Sequence, residues 1–175
     1  QRPTGLVLFG GQGSKAMQNI ARRLPDTQLI LACGHNAALA GSLKALPANA
    51  PRLVLGFTPD VAHYMQLADF FIGKPGPGSV SEAVQMQLPV IVVRNRYTLP
   101  QERYNTQWVR DNGVGIVCQS FAKVDDAVAQ MLQRLPGLRA ATTQVRNRAV
   151  FEVPQILHGI LLDAGRPTAA KTDAT

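Results

Sequence analysis

The chain contains little cysteine, histidine or aromatic residue, and these scarcities exclude several classes of protein. Its two cysteines, Cys33 and Cys118, each end an apolar run, so we expect small buried side chains rather than a disulfide framework. The three histidines, His35, His63 and His158, lie far apart and give no metal-ligand spacing. No apolar run reaches the length of a membrane-spanning helix. The sequence therefore predicts neither a disulfide scaffold nor a zinc module.

Acidic residues are also scarce, and the formal net charge is +7 over 175 residues. A basic surface can meet nucleic acid, anionic lipid or phosphorylated substrates. The basic residues are spread along the chain, and no nucleic-acid-binding motif accompanies them, so we expect no nucleic acid partner. With 46% hydrophobic and 17% charged residues, the composition is that of a folded domain.

Strand-like and helix-like segments alternate regularly along the chain, and glycines and prolines separate them. Strands are predicted at residues 6–9, 27–33, 52–55, 69–73, 89–93 and 115–118. Helices are predicted at residues 15–24, 37–46, 61–67, 79–87, 102–112, 124–135, 138–149 and 151–164. The basic, amphipathic C-terminal region could touch a membrane surface, but we expect its helix to face the core. Continuously apolar strands alternating with helices indicate an α/β fold, a Rossmann-like doubly wound parallel sheet.

We expect a single domain over residues 1–165 and a flexible polar tail at 166–175. The chain begins at Gln1 without Met or a signal pattern, so we also expect it to be a piece of a longer protein. Ligands of such sheets bind outside the carboxyl ends of the strands. Every glycine-rich turn of this chain follows a predicted strand, and therefore belongs to that edge.

The first glycine turn, G-G-Q-G-S at residues 10–14, follows a strand and opens a helix. Glycine lets backbone N–H groups approach an anion, and a helix N-terminus favours negative charge. A tight strand-to-helix turn without a ligand would have the same sequence. The turn is neither a P-loop nor a clean G-x-G-x-x-G.

The second glycine turn, G-K-P-G-P-G-S at residues 73–79, is stiffened by two prolines. Ser79 is a candidate N-cap, and Glu82 stands where a capping box would place its acidic residue. The alternative is that Glu82 projects from the first helical turn into the ligand crevice. There its carboxylate could accept hydrogen bonds from two ribose hydroxyls, as acidic residues do in related nucleotide sites.

A polar helix start follows the next strand. Pro100 suits the first position of a helix, and Gln101 and Asn105 then lie on one face. Amides donate and accept hydrogen bonds, which suits sugar hydroxyls. Phe57 follows the third strand, where it could border a base or fill the core. Asp69 is expected to cap or turn rather than to catalyse.

These segments together resemble the C-terminal, donor-binding domain of glycosyltransferase family 28, which has the two-domain GT-B fold. The stretch K-P-G-P-G-S-V-S-E-A at residues 74–83 resembles K-A-G-P-G-T-I-A-E-A of the plant monogalactosyldiacylglycerol synthases in that family. Residues 99–105, L-P-Q-E-R-Y-N, resemble their P-G-Q-E-x-x-N, and D-N-G-V-G at 111–115 resembles the segment that follows. The family also includes the N-acetylglucosamine transferase of peptidoglycan lipid synthesis.

The resemblance implies a UDP-sugar donor, with the diphosphate at the glycine turns, the ribose at the acidic residue and the base near the second and third strands. The implied donor-binding residues are Gly10, Gly11, Gly13, His35, Asn36, Phe57, Gly76, Gly78, Ser79, Glu82, Gln101, Glu102 and Asn105. It implies inverting transfer of a hexose or N-acetylhexosamine to a lipid, without a metal or another cofactor. The catalytic base and acceptor site would lie in an N-terminal domain of the parent protein, so no catalytic residue is assigned to this chain.

The resemblance further implies a cytoplasmic location and leaves peripheral association with the inner face of a membrane open. One alternative is a non-catalytic donor-binding subunit that needs a separate membrane partner chain. Another is a nicotinamide-dependent oxidoreductase. That class would require G-x-G-x-x-G after the first strand and an acidic residue further on, which Gly11, Gly13 and Asn19 do not supply.

Overall fold

The computed structural model describes residues 2–164 as alternating strands and helices. The strands are β1 (Thr4–Leu8), β2 (Gln28–Ala32), β3 (Arg52–Leu55), β4 (Phe70–Gly73), β5 (Val90–Val93) and β6 (Gly115–Cys118). The helices are α1 (Ala16–Arg23), α2 (Ala37–Lys44), α3 (Val61–Gln66), α4 (Pro77–Gln85), α5 (Pro100–Asp111), α6 (Val124–Gln144) and α7 (Ala149–Ala164), with a 3₁₀ turn at Phe121–Lys123.

The six strands form one sheet in the order β3-β2-β1-β4-β5-β6, and every neighbouring pair is parallel. In the centre, Leu6 pairs with Ile30 of β2 on one side and with Phe71 of β4 on the other. The strand order reverses between β1 and β4, which is where doubly wound sheets bind ligands. The predicted α/β Rossmann-like fold is confirmed.

Alternate strand residues serve two apolar cores, one on each face of the sheet. Val7, Leu31 and Ile72 belong to the core that α1, α2 and α6 cover. Leu8 and Phe71 belong to the core that α3, α4 and α5 cover. Because both faces are buried, the strands are apolar at nearly every position.

At the amino edge of the sheet, Asp69 has a structural role. Its carboxylate accepts the Thr4 N–H at 2.8 Å and forms an ion pair with Arg139 at 3.1 Å. These contacts join the first strand, the start of β4 and helix α6. Asp69 was expected to cap or turn, and it instead links these three elements; that it takes no part in catalysis remains a prediction. This edge lies opposite the glycine turns.

The predicted break between two helices near Pro136 is wrong, because α6 continues through this proline. Leu138 and Thr142, two and six residues beyond it, are buried, so the buried face of the helix persists across it. Burial of that face outweighs the single backbone hydrogen bond that a proline removes. Local sequence alone favoured a stop at this position.

The chain divides into two compact units, Gln1–Val145 and Arg146–Thr175. In the second unit, α7 is apolar nearly all round, and its large apolar side chains are exposed, Phe151 at 66% and Leu161 at 71%. The prediction that this helix faces the core is therefore wrong. The predicted domain bounds, 1–165, remain a prediction, and the tail at 166–175 lies outside the described residues. Within residues 2–164, no helix is both long and apolar enough to cross a bilayer.

Candidate functional site

The loop after β1 is shaped by glycines in conformations that other residues rarely adopt. Gly10 and Gly13 have φ of +76° and +60°. A side chain on Gly13 would come within 2.9 Å of the carbonyl oxygen of Cys33, in the turn after β2. The glycines of this loop therefore allow two neighbouring backbone segments to lie against each other at the carboxyl edge of the sheet.

Hydrogen bonds fasten the turn after β2 to this glycine loop. The His35 N–H donates to the Gly11 carbonyl at 2.8 Å, and the Asn36 side-chain amide donates to the Gln12 carbonyl at 3.2 Å. The other end of the Asn36 amide caps α2 by accepting the Leu39 N–H at 2.9 Å. The structure thus brings His35 and Asn36 beside the residues 10–13 that were predicted to share their site.

His35 and Phe57 form an exposed aromatic pair at the ends of β2 and β3. Their ring centroids are 4.1 Å apart and the rings are inclined by 16°, a stacked arrangement. Phe57 is 60% exposed, so the alternative that it fills the core is wrong. The pair provides a flat aromatic surface on the same edge as the glycine loop.

The second glycine turn meets helix α5. The Asn105 side-chain amide donates to the Pro75 carbonyl at 2.8 Å, across thirty residues of chain. Lys74 and Glu102 form an ion pair at 4.0 Å, and the Glu102 side chain is 13% exposed. A side chain on Gly76 would lie 3.9 Å from the Glu102 carboxylate. The two predicted halves of the site are therefore in contact, while Gln101 is exposed beside them.

Helix α4 begins earlier than predicted, and the proposed capping box is absent. Gly76 is the N-cap, Pro77 is the first helical residue, and Ser79 lies inside the helix. Proline suits the first helical position because its fixed φ and missing N–H cost nothing there. Because Pro77 has no N–H, the first backbone donors of the helix are the amides of Gly78 and Ser79, and no side chain caps the helix.

Glu82 lies in the second turn of α4, not in the first as predicted. Its side chain is exposed and lines a largely apolar cavity of about 420 Å³ between α4 and α3. Pro59 and Val61, just after the loop that carries Phe57, line the same cavity. Glu82 therefore shares this cavity with residues that follow β3, and neither Gln101 nor Asn105 lines it.

Lys74 belongs to this site although the sequence did not single it out. Its ammonium group reaches Glu102 across the glycine turn, next to the free start of α4. Its position in the sequence, directly before the Pro-Gly-Pro-Gly run, could have indicated this role, because a cation there would lie beside any bound anion. Among residues 2–164, no group of three or more His, Cys, Asp or Glu side chains is arranged to hold a metal ion.

Both cysteines are free and have raised pKa values. Burial raises the pKa of the Cys33 thiol, and nearby Lys44 opposes this only partly. Burial likewise raises the pKa of Cys118, against the opposing effect of backbone N–H groups at Cys118 and Ser120. A raised pKa leaves less thiolate at neutral pH, and thiolate is the reactive form.

We therefore expect both thiols to react with an aromatic disulfide reagent at pH 7 at least tenfold more slowly than free cysteine. The labelling rate should increase as the pH rises above 9. Unfolding in guanidinium should release two thiols per chain at the free-cysteine rate, which serves as the control. Rapid stoichiometric labelling of the folded chain at pH 7 would contradict this expectation.

Comparison with known proteins now identifies the family of this chain. Residues 6–154 match the Glycosyltransferase family 28 C-terminal domain. The chain is 35% identical to monogalactosyldiacylglycerol synthase 3 of Arabidopsis thaliana over 172 residues, which cover 89% of this chain and 37% of the relative. It is 30% identical to the probable monogalactosyldiacylglycerol synthase 3 of Oryza sativa subsp. japonica, covering 93% of this chain and 35% of that one.

Among solved structures, MurG of Acinetobacter baumannii superimposes with a TM-score of 0.69 at 20% identity. The match covers 91% of this chain and 50% of MurG, and it confirms the Rossmann-like half of a GT-B fold. The chain spans about a third of the length of the plant relatives. The expected family is confirmed: the chain belongs to glycosyltransferase family 28 and corresponds to its C-terminal domain.

Proposed function

We propose that this chain is the nucleotide-sugar-binding part of an inverting glycosyltransferase that transfers a hexose or N-acetylhexosamine from UDP to a lipid acceptor. The observation that carries the proposal is the hydrogen bond from Asn105 to the Pro75 carbonyl. It joins a glycine turn suited to phosphate with a polar helix start suited to sugar. Both lie at the edge where the strand order reverses.

The order of the loops along this edge matches the order of groups in a UDP-sugar. The His35–Phe57 pair follows β2 and β3, the glycine turns follow β1 and β4, and the polar helix start follows β5. Neighbouring strands lie about 4.8 Å apart, so β3 to β5 spans about 19 Å. We assign the base to the aromatic pair, the diphosphate to the glycine turns and the sugar to α5.

The diphosphate would be held by main-chain donors and one cation. The amides of Gly78 and Ser79 begin a helix that no side chain caps, and the glycine loop after β1 lies beside them. Oriented amides at a helix start favour an anion. Lys74 lies at the same turn and would add a positive charge.

The sugar would face α5. The Asn105 amide N–H already binds Pro75, which leaves its carbonyl oxygen to accept from a hydroxyl. Glu102 and Gln101 adjoin it with further acceptors and donors. Such contacts orient the anomeric carbon, and the helix starts stabilise negative charge on the departing diphosphate.

The acceptor site and the catalytic base are assigned to a second, N-terminal domain of the parent protein. The plant relatives, which are about three times as long, support this assignment. Their names also support a lipid product, since they are synthases of monogalactosyldiacylglycerol. The chain's own contribution is then donor binding and orientation.

Replacing Glu82 by alanine should weaken UDP binding by about 1–3 kcal/mol, or roughly 5- to 150-fold, because hydrogen bonds from the ribose to a charged acceptor are lost. Isothermal titration calorimetry of UDP with the 175-residue chain measures this change. Gln85→Ala, which alters the same cavity one turn further along α4, is the matched control and should leave the affinity within twofold.

A second ligand isolates the ribose contact. The parent chain should bind 2′-deoxy-UDP less tightly than UDP, and Glu82→Ala should reduce or abolish that difference. If the variant still prefers UDP to 2′-deoxy-UDP by the same factor, Glu82 does not contact the ribose. Absence of UDP binding by the folded parent chain would overturn the proposed function itself.

A further inference from the structure

The loop between β5 and α5 exposes large side chains at the carboxyl edge of the sheet. Tyr97, Leu99 and Tyr104 are 74%, 51% and 72% exposed. Arg96 and Arg103 are exposed among them. These five residues are called the β5–α5 patch below. A cluster of exposed aromatic and aliphatic side chains commonly marks an interaction surface.

The exposure does not result from a loose loop, because the backbone that carries the patch is fastened internally. The buried Thr98 hydroxyl accepts the Asn95 N–H at 2.9 Å, and the Thr98 N–H donates back to the Asn95 carbonyl at 3.1 Å. The Arg103 guanidinium donates to the Thr98 carbonyl at 3.3 Å. The loop therefore holds the side chains of Tyr97 and Leu99 outward while its own polar groups are satisfied.

The patch is also positive. Arg96 and Arg103 are its two cations, and Glu102 is the only acidic residue between positions 95 and 105. That carboxylate is largely buried beside Lys74, which leaves it little influence on the surface. The Arg96 guanidinium lies 4.7 Å from the centroid of the Tyr97 ring, so cation and aromatic ring are presented together.

Helical spacing places the remaining members side by side. Leu99, the N-cap of α5, and Arg103 are one turn apart, and Tyr104 follows Arg103 directly along the helix. The patch thus extends from the loop along the first turns of α5. It lies on the edge that carries the proposed donor site, opposite the Asp69–Arg139 ion pair.

We propose that the β5–α5 patch docks this domain onto an anionic lipid bilayer. Tyrosine rings suit the boundary between headgroups and acyl chains, because one end is apolar and the other polar. Each arginine near an anionic membrane surface strengthens binding about fivefold. The proposal rests on the proposed function in one respect: a lipid acceptor requires the donor site to face a bilayer.

The test is co-sedimentation of the 175-residue chain with phosphatidylcholine vesicles that contain either no or about a third phosphatidylglycerol. The variant is Arg96→Gln with Leu99→Ser. Its matched control is Arg22→Gln with Leu67→Ser, at the opposite edge of the sheet. Leu67 is 53% exposed, close to the 51% of Leu99, and each variant loses one arginine. Both variants retain α7.

The parent chain should bind the anionic vesicles, and should bind neutral vesicles at least tenfold more weakly. The patch variant should lose at least tenfold in partitioning to the anionic vesicles, while the control stays within twofold. Equal loss in both variants, or no loss in the patch variant, overturns the proposal. So does an unchanged partition accompanied by a shift from dimer to monomer on size exclusion, which would assign the patch to a second copy.

Calorimetry with UDP separates this inference from the proposed function. The patch variant leaves the residues assigned to UDP unaltered, so its UDP affinity should equal that of the parent chain. Vesicle binding without UDP binding would refute the donor site and retain the patch. UDP binding with no selective vesicle binding would refute the patch alone.

Discussion

Alanine in place of Gly34 should destabilise the chain by about 2–4 kcal/mol, because two independent penalties coincide at this position. Gly34 has φ of +60°, which disfavours any other residue. The added methyl group would also overlap the Gly11 carbonyl oxygen. That oxygen accepts the His35 N–H, so the two loops must separate and lose their hydrogen bond.

Urea denaturation measures this loss as a lower midpoint with an unchanged slope. Gly41→Ala is the control, since Gly41 lies inside α2 and a methyl group there meets nothing within 4 Å. That variant should be more stable than the parent by up to about 1 kcal/mol. If the Gly34 variant keeps its stability and its UDP affinity, the contact between the loops after β1 and β2 does not matter.

Methionine in place of Arg52 should cost about 2–3 kcal/mol, since one guanidinium satisfies carbonyl groups at the end of a helix. It donates to the carbonyls of Ala21 and Leu24, the latter at 3.2 Å, and to that of Pro47 at 3.3 Å. Burial lowers the pKa of Arg52, but an arginine remains charged at every pH relevant to folding. The variant leaves the last carbonyls of α1 without this donor.

The same urea experiment tests this change, with Arg22→Met as its control. Arg22 is exposed in the last turn of the same helix, and its loss should change the free energy of unfolding by no more than about 0.5 kcal/mol. Equal stability of the Arg52 and Arg22 variants would show that the carbonyls find water instead. A lysine at position 52 should recover part of the loss, because it keeps the charge but offers fewer donors.

The sheet and its ligand edge could be predicted from sequence because they depend on local patterns. Short apolar runs bounded by glycine or proline predicted β3 and β6 at their observed bounds. A parallel sheet then determines that the turns after the strands share one edge. The alignment of the glycine loop with His35 and Asn36 follows from the same rule.

What the sequence did not predict depends on contacts between distant segments. Buried residues beyond Pro136 carry α6 through the proline, and no local signal reports that burial. Helix α4 begins at Pro77, two residues before the predicted N-cap Ser79, so the capping box does not form. The hydrogen bond from Asn105 to Pro75 and the pairing of Lys74 with Glu102 both join α5 to the glycine turn. Their partners are recognisable only once the sheet has brought the two segments together.

The bond from Asn105 to Pro75 has a consequence for how donor affinity can be interpreted. The Asn105 amide, assigned to the sugar, also holds the Pro75 turn, assigned to the phosphates, so a movement of one displaces the other. Affinity for the bare nucleotide and affinity for the sugar nucleotide are then coupled quantities in this chain. A substitution of Asn105 that changes the preferred sugar would therefore also change the affinity for the diphosphate.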